Sequence, residues 1–198
     1  MEKAIYKLSH GMYVLTTLNG GCIVDAVSQV SGGDKPLVSV AVMKENNTNK
    51  LLHENDRACL SIIGEKTDGT VIKEFGYNSM RDYNKFNYEK LIDVNGLYVV
   101  KDAVGYLMLE KVDEIENDTH TLFIFRVIED KVLNEDKEIT YNYFRENKDE
   151  LTKAKTAKGK TVWVCSLCGY VYYGEELPAN FQCPVCGAGN FAFNKKVL

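Results

Sequence analysis

The sequence predicts a mainly β protein with few helices, followed by a small module that a bound metal holds together. Short apolar or β-branched segments separated by glycine-rich turns run through the first 150 residues. Four cysteines in two Cys-x-x-Cys pairs lie near the C-terminus. The chain has 198 residues, which is enough for one substantial core and a small appended module.

The segments with strand character share a length of six to nine residues and end at turn signals such as Gly20-Gly21 and residues 31–34. They are residues 13–18, 22–30, 37–42, 58–63, 105–112 and 121–127. Their spacing predicts an antiparallel sheet that closes into a barrel. Helices are expected over residues 3–11, 48–55, 70–76 and 141–155, the second with a cap at Asn47 or Thr48.

An abrupt change to small and basic residues separates the two parts of the chain. Residues 152–161 read Thr-Lys-Ala-Lys-Thr-Ala-Lys-Gly-Lys-Thr, a composition typical of a linker. The alternative is a solvated helix end. We therefore expect a first domain over residues 1–151 and a second over residues 162–198.

The two cysteine pairs predict a metal site. Cys165 and Cys168 form the first pair, Cys183 and Cys186 form the second, and 14 residues separate the pairs. Four thiolates in a tetrahedron select zinc or iron. Iron here would move single electrons, whereas zinc would make the module a structural or partner-binding element.

Composition excludes several classes of protein. A net charge of −4 argues against nucleic acid as the main partner. No apolar run approaches the roughly 20 residues of a membrane-spanning helix, so no membrane association is expected. The first residues lack the apolar core of a signal peptide, and a cytoplasmic location is the default. Cys22 and Cys59 lie in apolar stretches and are expected to be buried core thiols.

The sequence around the four cysteines resembles that of rubredoxin. The similarity lies in residues 163–172, WVCSLCGYVY, and 178–188, PANFQCPVCGA. It implies that Cys165, Cys168, Cys183 and Cys186 hold one iron ion that alternates between its ferric and ferrous states. The gap between the pairs is shorter than in most free-standing rubredoxins and is similar to the rubredoxin domains of rubrerythrins, which keeps zinc as an alternative.

Other residues of the module are expected to support the metal site. Gly169 and Gly187, which follow the two pairs, are expected to direct backbone N–H groups at sulfur. The aromatic residues that flank the ligands are expected to form the small core, and they are Trp163, Tyr170, Tyr172, Phe181, Phe191 and Phe193.

The first 150 residues are similar to the flavin reductase family. The resemblance is carried by residues 11–17, 22–31, 36–49, 75–86, 118–124 and 139–144. It implies an FMN-binding split barrel that works as a homodimer and oxidises NAD(P)H. Arg81, Asp82 and Lys85 lie in the segment that resembles the family's loop near the flavin. Contact with the cofactor, contact with a substrate and a merely solvated loop are the three interpretations.

Two groups of residues are candidates for flavin binding. Polar side chains and free N–H groups at a helix start suit the phosphate, which points to Asn46, Asn47, Thr48 and Asn49. Backbone groups of an adjacent strand suit the polar edge of the isoalloxazine ring, which points to Ala26, Val27, Ser28 and Gln29. Plain helix capping and a plain strand are the respective alternatives.

Asp25, His53 and His120 are further ionisable residues in or close to the segments that resemble the family. Asp25 stands where relatives often have an uncharged residue, and we expect its carboxylate to turn away from the flavin or to find a partner. His53 is expected to be a surface or packing residue. His120 matches a family position, with a role near the flavin or nicotinamide as one interpretation.

Together the two halves resemble the fused, high-molecular-weight rubredoxin type of anaerobes. That resemblance implies an oxidoreductase that passes electrons from NAD(P)H through FMN and iron to a partner, such as a diiron flavoprotein that reduces oxygen or nitric oxide. Two alternatives stay open. One is a flavin-binding protein with a zinc-ribbon module that recruits a partner, and the other is a flavin and iron relay reduced by another protein.

Overall fold

The computed structural model describes residues 4–77, 89–152, 161–167, 170–173, 176–183 and 186–197. The chain divides into two compact units, Met1–Ala154 and Lys155–Leu198. The division falls within the predicted linker 152–161. The domain limits at residues 151 and 162 stay predictions, because residues 153–160 lie outside the described part of the chain.

The secondary structure of the described residues is mainly β. The strands are β1 Tyr13–Thr17, β2 Gly20–Val24, β3 Val27–Gln29, β4 Leu37–Met43, β5 Arg57–Ile62, β6 Leu91–Val94, β7 Leu97–Val100, β8 Gly105–Glu116, β9 His120–Val132, β10 Thr161–Cys165, β11 Val171–Tyr173 and β12 Phe193–Val197. The α-helices are α1 Asn47–Glu54, α2 Gly69–Tyr77, α3 Tyr141–Glu146 and α4 Lys148–Leu151. Short 3₁₀ turns occupy Ala4–Lys7 and Asn190–Ala192.

The main sheet of the first unit is curled into an open barrel. Its order within the described residues is β2-β1-β5-β8-β9-β4-β3, and every neighbouring pair is antiparallel. The edge strands β2 and β3 are joined by Asp25 and Ala26 alone. Three peptide units span at most about 11 Å, so the two edges must lie close together. The predicted mainly β barrel is confirmed.

The single strand predicted over residues 22–30 is wrong. The segment splits into β2, which pairs with β1, and β3, which pairs with β4 at the opposite edge. Apolar residues lie on both sides of the break, and the one charged residue within it, Asp25, is also compatible with a single strand, so the hydrophobic pattern alone does not locate the break. The change of partner depends on the curl of the whole sheet.

Two of the four predicted helices differ from expectation. The helix expected over residues 3–11 is only the 3₁₀ turn Ala4–Lys7. The helix expected over residues 141–155 breaks at Asn147, whose φ of −117° and ψ of 21° are not helical. There the Asn147 side chain donates to the carbonyl oxygen of Tyr143 at 2.9 Å, closing α3 before α4 begins. Residues 153–155 lie outside the described part of the chain.

The hairpin of β6 and β7 was not predicted, although its turn has a strong local signal. Asn95 and Gly96 form a two-residue turn with φ angles of 54° and 82°. Positive φ at both central residues defines a type I′ turn, for which Asn-Gly is the preferred sequence. Leu97 and Val99 of this hairpin pack against Cys59 of β5 and against residues of β8.

Buried aliphatic and aromatic side chains stabilise the barrel. The interior cluster includes Leu15, Val40, Phe123 and Phe125, all fully buried. A second cluster around Phe75, Ile139 and Phe144 packs α2 and α3 against β1. As expected, Cys22 and Cys59 are buried, and burial raises the pKa of Cys59 to about 12, which keeps this thiol protonated and unreactive.

The second unit contains the sheet β11-β10-β12 and a small aromatic core. Phe181 lies 4.7 Å from the ring of Tyr172 and 5.3 Å from the ring of Phe193, measured between centroids. Trp163 and Tyr170 pack against the same cluster, as expected. Phe191 does not, because 87% of it is exposed to solvent.

Candidate metal centre and flavin site

The described cysteines of the second unit converge on one point. The Sγ atoms of Cys165, Cys183 and Cys186 all lie within 4.8 Å of one another. The Cys165 and Cys186 sulfurs are 3.7 Å apart, far beyond the length of a disulfide. Sulfurs at about 2.3 Å from a tetrahedral metal are separated by about 3.8 Å. The cluster therefore fits a four-thiolate metal site, with Cys168, which lies outside the described residues, as the predicted fourth ligand.

Matching backbone hydrogen bonds position the two halves of this site. The N–H of Cys165 donates to the carbonyl oxygen of Tyr170 at 2.8 Å, five residues ahead. The N–H of Cys183 donates to the carbonyl oxygen of Ala188 at 2.7 Å, with the same separation in sequence. The first cysteine of each pair is thus held by the same backbone bond, which places Cys165 and Cys183 alike.

The turn after the second pair differs from expectation in one respect. Gly187 has a φ of 71°, a conformation that favours glycine, and its N–H donates to the carbonyl oxygen of Cys183 at 2.8 Å instead of sulfur. Gly169 lies outside the described residues. Cys165 and Cys183 are buried, whereas Cys186 is exposed, so one ligand lies at the surface of the module.

The predicted ring-binding strand β3 is an edge strand with one free side. Ala26 accepts a hydrogen bond from the N–H of Ala41 at 3.0 Å, and Val30 donates to Leu37 at 2.7 Å. In an antiparallel ladder these bonds alternate, so Ala26 and Ser28 direct their backbone groups at β4. Val27 and Gln29 direct theirs away from β4, towards the open edge.

The predicted phosphate-binding segment is the start of α1. The side-chain oxygen of Asn46 accepts from the N–H of Thr48 at 3.1 Å, so the cap is Asn46, one residue before the predicted position. Asn49 is buried and its amide donates to the carbonyl oxygen of Val42 at 3.0 Å. Asn46 and Asn49 thus have structural roles, while Asn47 is half-buried at the first turn.

Thr48 carries an unsatisfied polar atom in this segment. Its side chain is fully buried, and its hydroxyl oxygen has no hydrogen-bond partner among the described residues. A buried hydroxyl without a partner is costly unless another group binds it. The N–H groups of Thr48 and Asn49 donate to Asn46, which leaves the N–H of Asn47 as the first-turn donor with no partner among the described residues. Together, that N–H and the Thr48 hydroxyl fit an anion such as a phosphate.

The two candidate groups lie at the same end of the sheet. The register of β3 and β4 pairs Val27 with Val40, and the ladder continues through Ala26 and Ala41. Asp25 directly precedes Ala26, so it lies at the end of β3 that faces the part of β4 leading to α1. Val42, the next residue of β4, accepts the bond from Asn49 at the start of α1. Ala41 and Val42 carry no polar side chain, so the sequence offered no reason to single them out as the link between the two groups.

Asp25 adjoins the first of these groups. It is half-buried, and among the described residues no hydrogen bond or ion pair involves its side chain. Of the two expected outcomes, a partner is not found within this part of the chain, and an orientation away from the flavin stays a prediction.

The two histidines differ in their surroundings. Nδ1 of His53 lies 2.8 Å from a carboxylate oxygen of Glu114, and its ring packs against Phe123 with centroids 5.4 Å apart. The surface or packing interpretation of His53 fits these contacts. His120 is paired with Met43 at the end of β4 that leads to α1. Its role near the cofactor stays a prediction, and Arg81, Asp82 and Lys85 lie outside the described residues.

A pair of neighbouring carboxylates, Asp68 buried and Asp102 half-buried, was not anticipated from the sequence. The N–H of Asp68 donates to Asp102 at 2.9 Å, and Lys90 lies 3.5 Å from the other side of Asp68. Asp68 also caps α2 by accepting from the N–H of Thr70. Burial raises the pKa of Asp102. The three residues tie α2 to the strands, and their wide separation in sequence left no spacing pattern to detect.

Family models match both units of the chain. A model described as a flavin reductase like domain matches residues 5–152. A model described as a rubrerythrin, rubredoxin-like domain matches residues 163–194. No helix among the described residues has the length and apolar character needed to cross a membrane.

Several curated proteins are similar in sequence. The high molecular weight rubredoxin of Moorella thermoacetica is 28% identical, and the match covers 98% of each chain. The ferric-chelate reductase (NAD(P)H) of Archaeoglobus fulgidus is 29% identical over 81% of this chain and 96% of the relative. The diflavin flavoprotein A 1 of Synechocystis is 28% identical over 67% of this chain, but the match spans only 24% of that protein.

Solved structures share the fold of the first unit. The NADH:FAD oxidoreductase SgcE6 of Streptomyces globisporus matches with a TM-score of 0.60 at 18% identity, covering 67% of this chain and 81% of that one. The FMN-binding protein of Thermus thermophilus matches with a TM-score of 0.61 at 18% identity, covering 71% and 86%. At these identities the likeness establishes the fold alone.

Proposed function

This chain belongs to the flavin reductase-like domain family and carries a rubredoxin-like domain at its C-terminal end, and on that premise we propose that it is an NAD(P)H-dependent electron-transfer oxidoreductase. In this proposal electrons pass from NAD(P)H to FMN, then to a single iron held by four cysteines, and on to a partner redox protein. One observation carries it: a thiolate cluster with metal-site spacing and a flavin reductase barrel occur in one chain.

The two groups supply complementary chemistry when bound, since flavin accepts two electrons as a hydride and releases them singly, and a four-thiolate iron accepts one. The protein contributes binding and exclusion. Cys165, Cys168, Cys183 and Cys186 hold the metal, and the buried ring of Phe193 packs beside two of them and keeps water away. Iron is favoured over zinc by the rubredoxin-like match, because the spacing of the sulfurs suits both metals.

The flavin is assigned to the common end of β3, β4 and α1. The N–H of Asn47 and the hydroxyl of Thr48 would bind the phosphate. The backbone carbonyl of Val27 and the backbone groups of Gln29, which face the open edge, would bind the polar edge of the ring, while the small side chains of Ala26 and Ser28 let the ring approach. FMN is proposed because the resemblance to the flavin reductase family implies it, and its terminal phosphate suits this helix start.

The partner and the assembly are also proposed. The match to part of a larger diflavin flavoprotein supports a flavoprotein as the electron acceptor, with a diiron flavoprotein as the candidate class. A row of apolar residues on the outer face of the barrel, Ala41, Leu122 and Ile115 in direct register, supports a homodimer. Ile115 is 49% exposed in the single chain. A cytoplasmic location remains the expectation.

The name of one relative favours a second candidate activity. The match to a ferric-chelate reductase (NAD(P)H) covers 96% of that protein. Under this hypothesis, the barrel would reduce ferric chelates directly with electrons from NAD(P)H. A Cys183→Ser variant that retains full ferric-EDTA reduction but loses delivery to a protein acceptor would show both activities in one chain.

The test is a visible absorption spectrum of protein purified anaerobically, recorded before and after NADH is added. We expect overlapping flavin and iron–thiolate bands, both of which bleach. A flavin spectrum alone, with zinc found by metal analysis, would contradict the iron relay and favour a zinc-ribbon binding module. Two chromophores that stay unbleached with both NADH and NADPH would mean that another protein is the electron donor.

A further inference from the structure

Asp25 occupies a special position in the barrel. With Ala26 it forms the two-residue crossing from one edge of the curled sheet to the other. Its carbonyl oxygen accepts from the N–H of Val27 at 3.0 Å, which tightens the crossing. Ala26, its neighbour in sequence, accepts a hydrogen bond from Ala41, and the following residue Val42 holds Asn49, so Asp25 lies at the end of β4 that leads to α1.

The carboxylate of Asp25 also lacks the compensation that half-buried acids usually have. No cation and no hydrogen-bond donor contacts its side chain among the described residues. Other carboxylates of the barrel are paired: Glu114 with Lys111 at 3.0 Å, and Asp68 with Lys90 at 3.5 Å. A negative charge that is neither fully solvated nor paired keeps most of its electrostatic effect on neighbouring groups.

We propose that Asp25 tunes the flavin site electrostatically, weakening FMN binding and lowering the reduction potential of bound FMN. The inference rests on the proposed function, which assigns the flavin to this end of the sheet. A carboxylate repels the phosphate, and it repels the reduced ring more than the oxidised ring because reduction adds negative charge. Asp25 thereby makes the reduced flavin a stronger donor to the next acceptor, at a cost in affinity.

The experiment compares wild type, Asp25→Asn and Asp34→Asn. Asp34 is exposed in the turn between β3 and β4, so its variant makes the same change in net charge away from the site. FMN affinity is measured by fluorescence titration of the flavin-free protein, and the potential of bound FMN by anaerobic spectroelectrochemistry. Melting temperature and circular dichroism establish that each variant is folded.

For Asp25→Asn we expect the FMN dissociation constant to fall about tenfold, the effect of removing one nearby like charge. The gain for reduced FMN should be about tenfold larger still, which raises the two-electron potential by about 30 mV. Asp34→Asn should match wild type in both measurements.

Equal values for Asp25→Asn and wild type, or weaker binding by the variant, would overturn this inference and leave the proposed function standing. A wild-type protein that binds no FMN would overturn the proposed function and the inference with it. If Asp25→Asn fails to fold, Asp25→Ser provides the same loss of charge with a smaller side chain.

Discussion

The barrel and the C-terminal module are stabilised by different means. In the barrel, large apolar side chains such as Leu60, Phe123 and Phe125 fill clusters from which water is excluded. In the module, the fully buried cluster of the described residues consists of Cys165, Cys183, Ala192 and Phe193, so half of it is metal ligand. Very short chain segments rarely bury enough apolar surface to fold alone.

Because of this difference, loss of the metal should destabilise the module alone, and damage to the apolar core should destabilise the barrel alone. We expect a bound metal to supply folding free energy to the module, because two of the candidate ligands, Cys165 and Cys183, are also among its buried residues. The apolar core of the barrel should not depend on the metal.

Removal of one metal ligand should unfold the module and leave the barrel intact. In Cys183→Ser we expect loss of the metal, rapid proteolysis of the C-terminal unit and complete loss of electron delivery to a protein acceptor. FMN should still be reduced by NADH, and the melting temperature of the barrel should be unchanged. Metal analysis measures the loss of metal, limited proteolysis the unfolding of the module, and calorimetry the melting temperature. Cys22→Ala removes a buried thiol from the barrel and should keep the metal. Loss of FMN reduction in folded Cys183→Ser protein would break the separation.

Damage to the barrel core should have the opposite pattern. Phe123 is fully buried, and Phe123→Ala should lower the free energy of unfolding of the barrel by about 3–5 kcal/mol. The module should retain its metal. Val132 lies on the same strand but is 72% exposed, and Val132→Ala should change stability by less than about 0.5 kcal/mol. Urea denaturation gives both values, and similar losses in the two variants would refute the assigned core.

Variants at two helix caps of the barrel can distinguish an effect on FMN binding from an effect on protein stability. Asn46→Ala removes the cap of α1 and Thr140→Ala removes the cap of α3, each at about 1 kcal/mol. Only Asn46→Ala should also weaken FMN binding, because α1 begins at the proposed phosphate site. Fluorescence titration beside thermal melting makes the comparison. Equal FMN affinity in the two variants would argue for plain capping at α1.

The smallest effect concerns pH and the surface of the barrel. Burial raises the pKa of Glu114, but hydrogen bonds from Lys111 and His53 outweigh it and hold the pKa below its ordinary value of 4.5. A lowered pKa in the folded state contributes stability above pH 4.5, and this contribution disappears as pH falls through the folded value. Melting temperatures from pH 7 to 3 should therefore fall more for wild type than for Glu114→Gln. A difference in melting temperature that stays constant from pH 7 to 3 would show that ionisation of Glu114 does not stabilise the folded state.

Local sequence predicted the metal ligands and the start of α1 because both depend on neighbouring residues. Cys165 and Cys183 each donate a backbone hydrogen bond to the fifth residue ahead. The Asn46 cap binds two residues ahead and was misplaced by a single position. The Asn-Gly turn of β6 and β7 was equally local and could have been predicted from its sequence alone.

The tertiary structure decided the features that depend on distant partners. The break of residues 22–30 into two strands follows from the meeting of sheet edges, which no short window of sequence contains. The pairing of Asp68 with Lys90 and Asp102, and the exposure of Phe191, likewise depend on what packs nearby. The sequence was enough to predict the candidate metal ligands and the mainly β barrel, because these rest on local spacing and periodicity. The position of Asp25 at the end of β4 that leads to α1 follows only from the pairing of β3 with β4, since strand pairing brings together residues that are far apart along the chain.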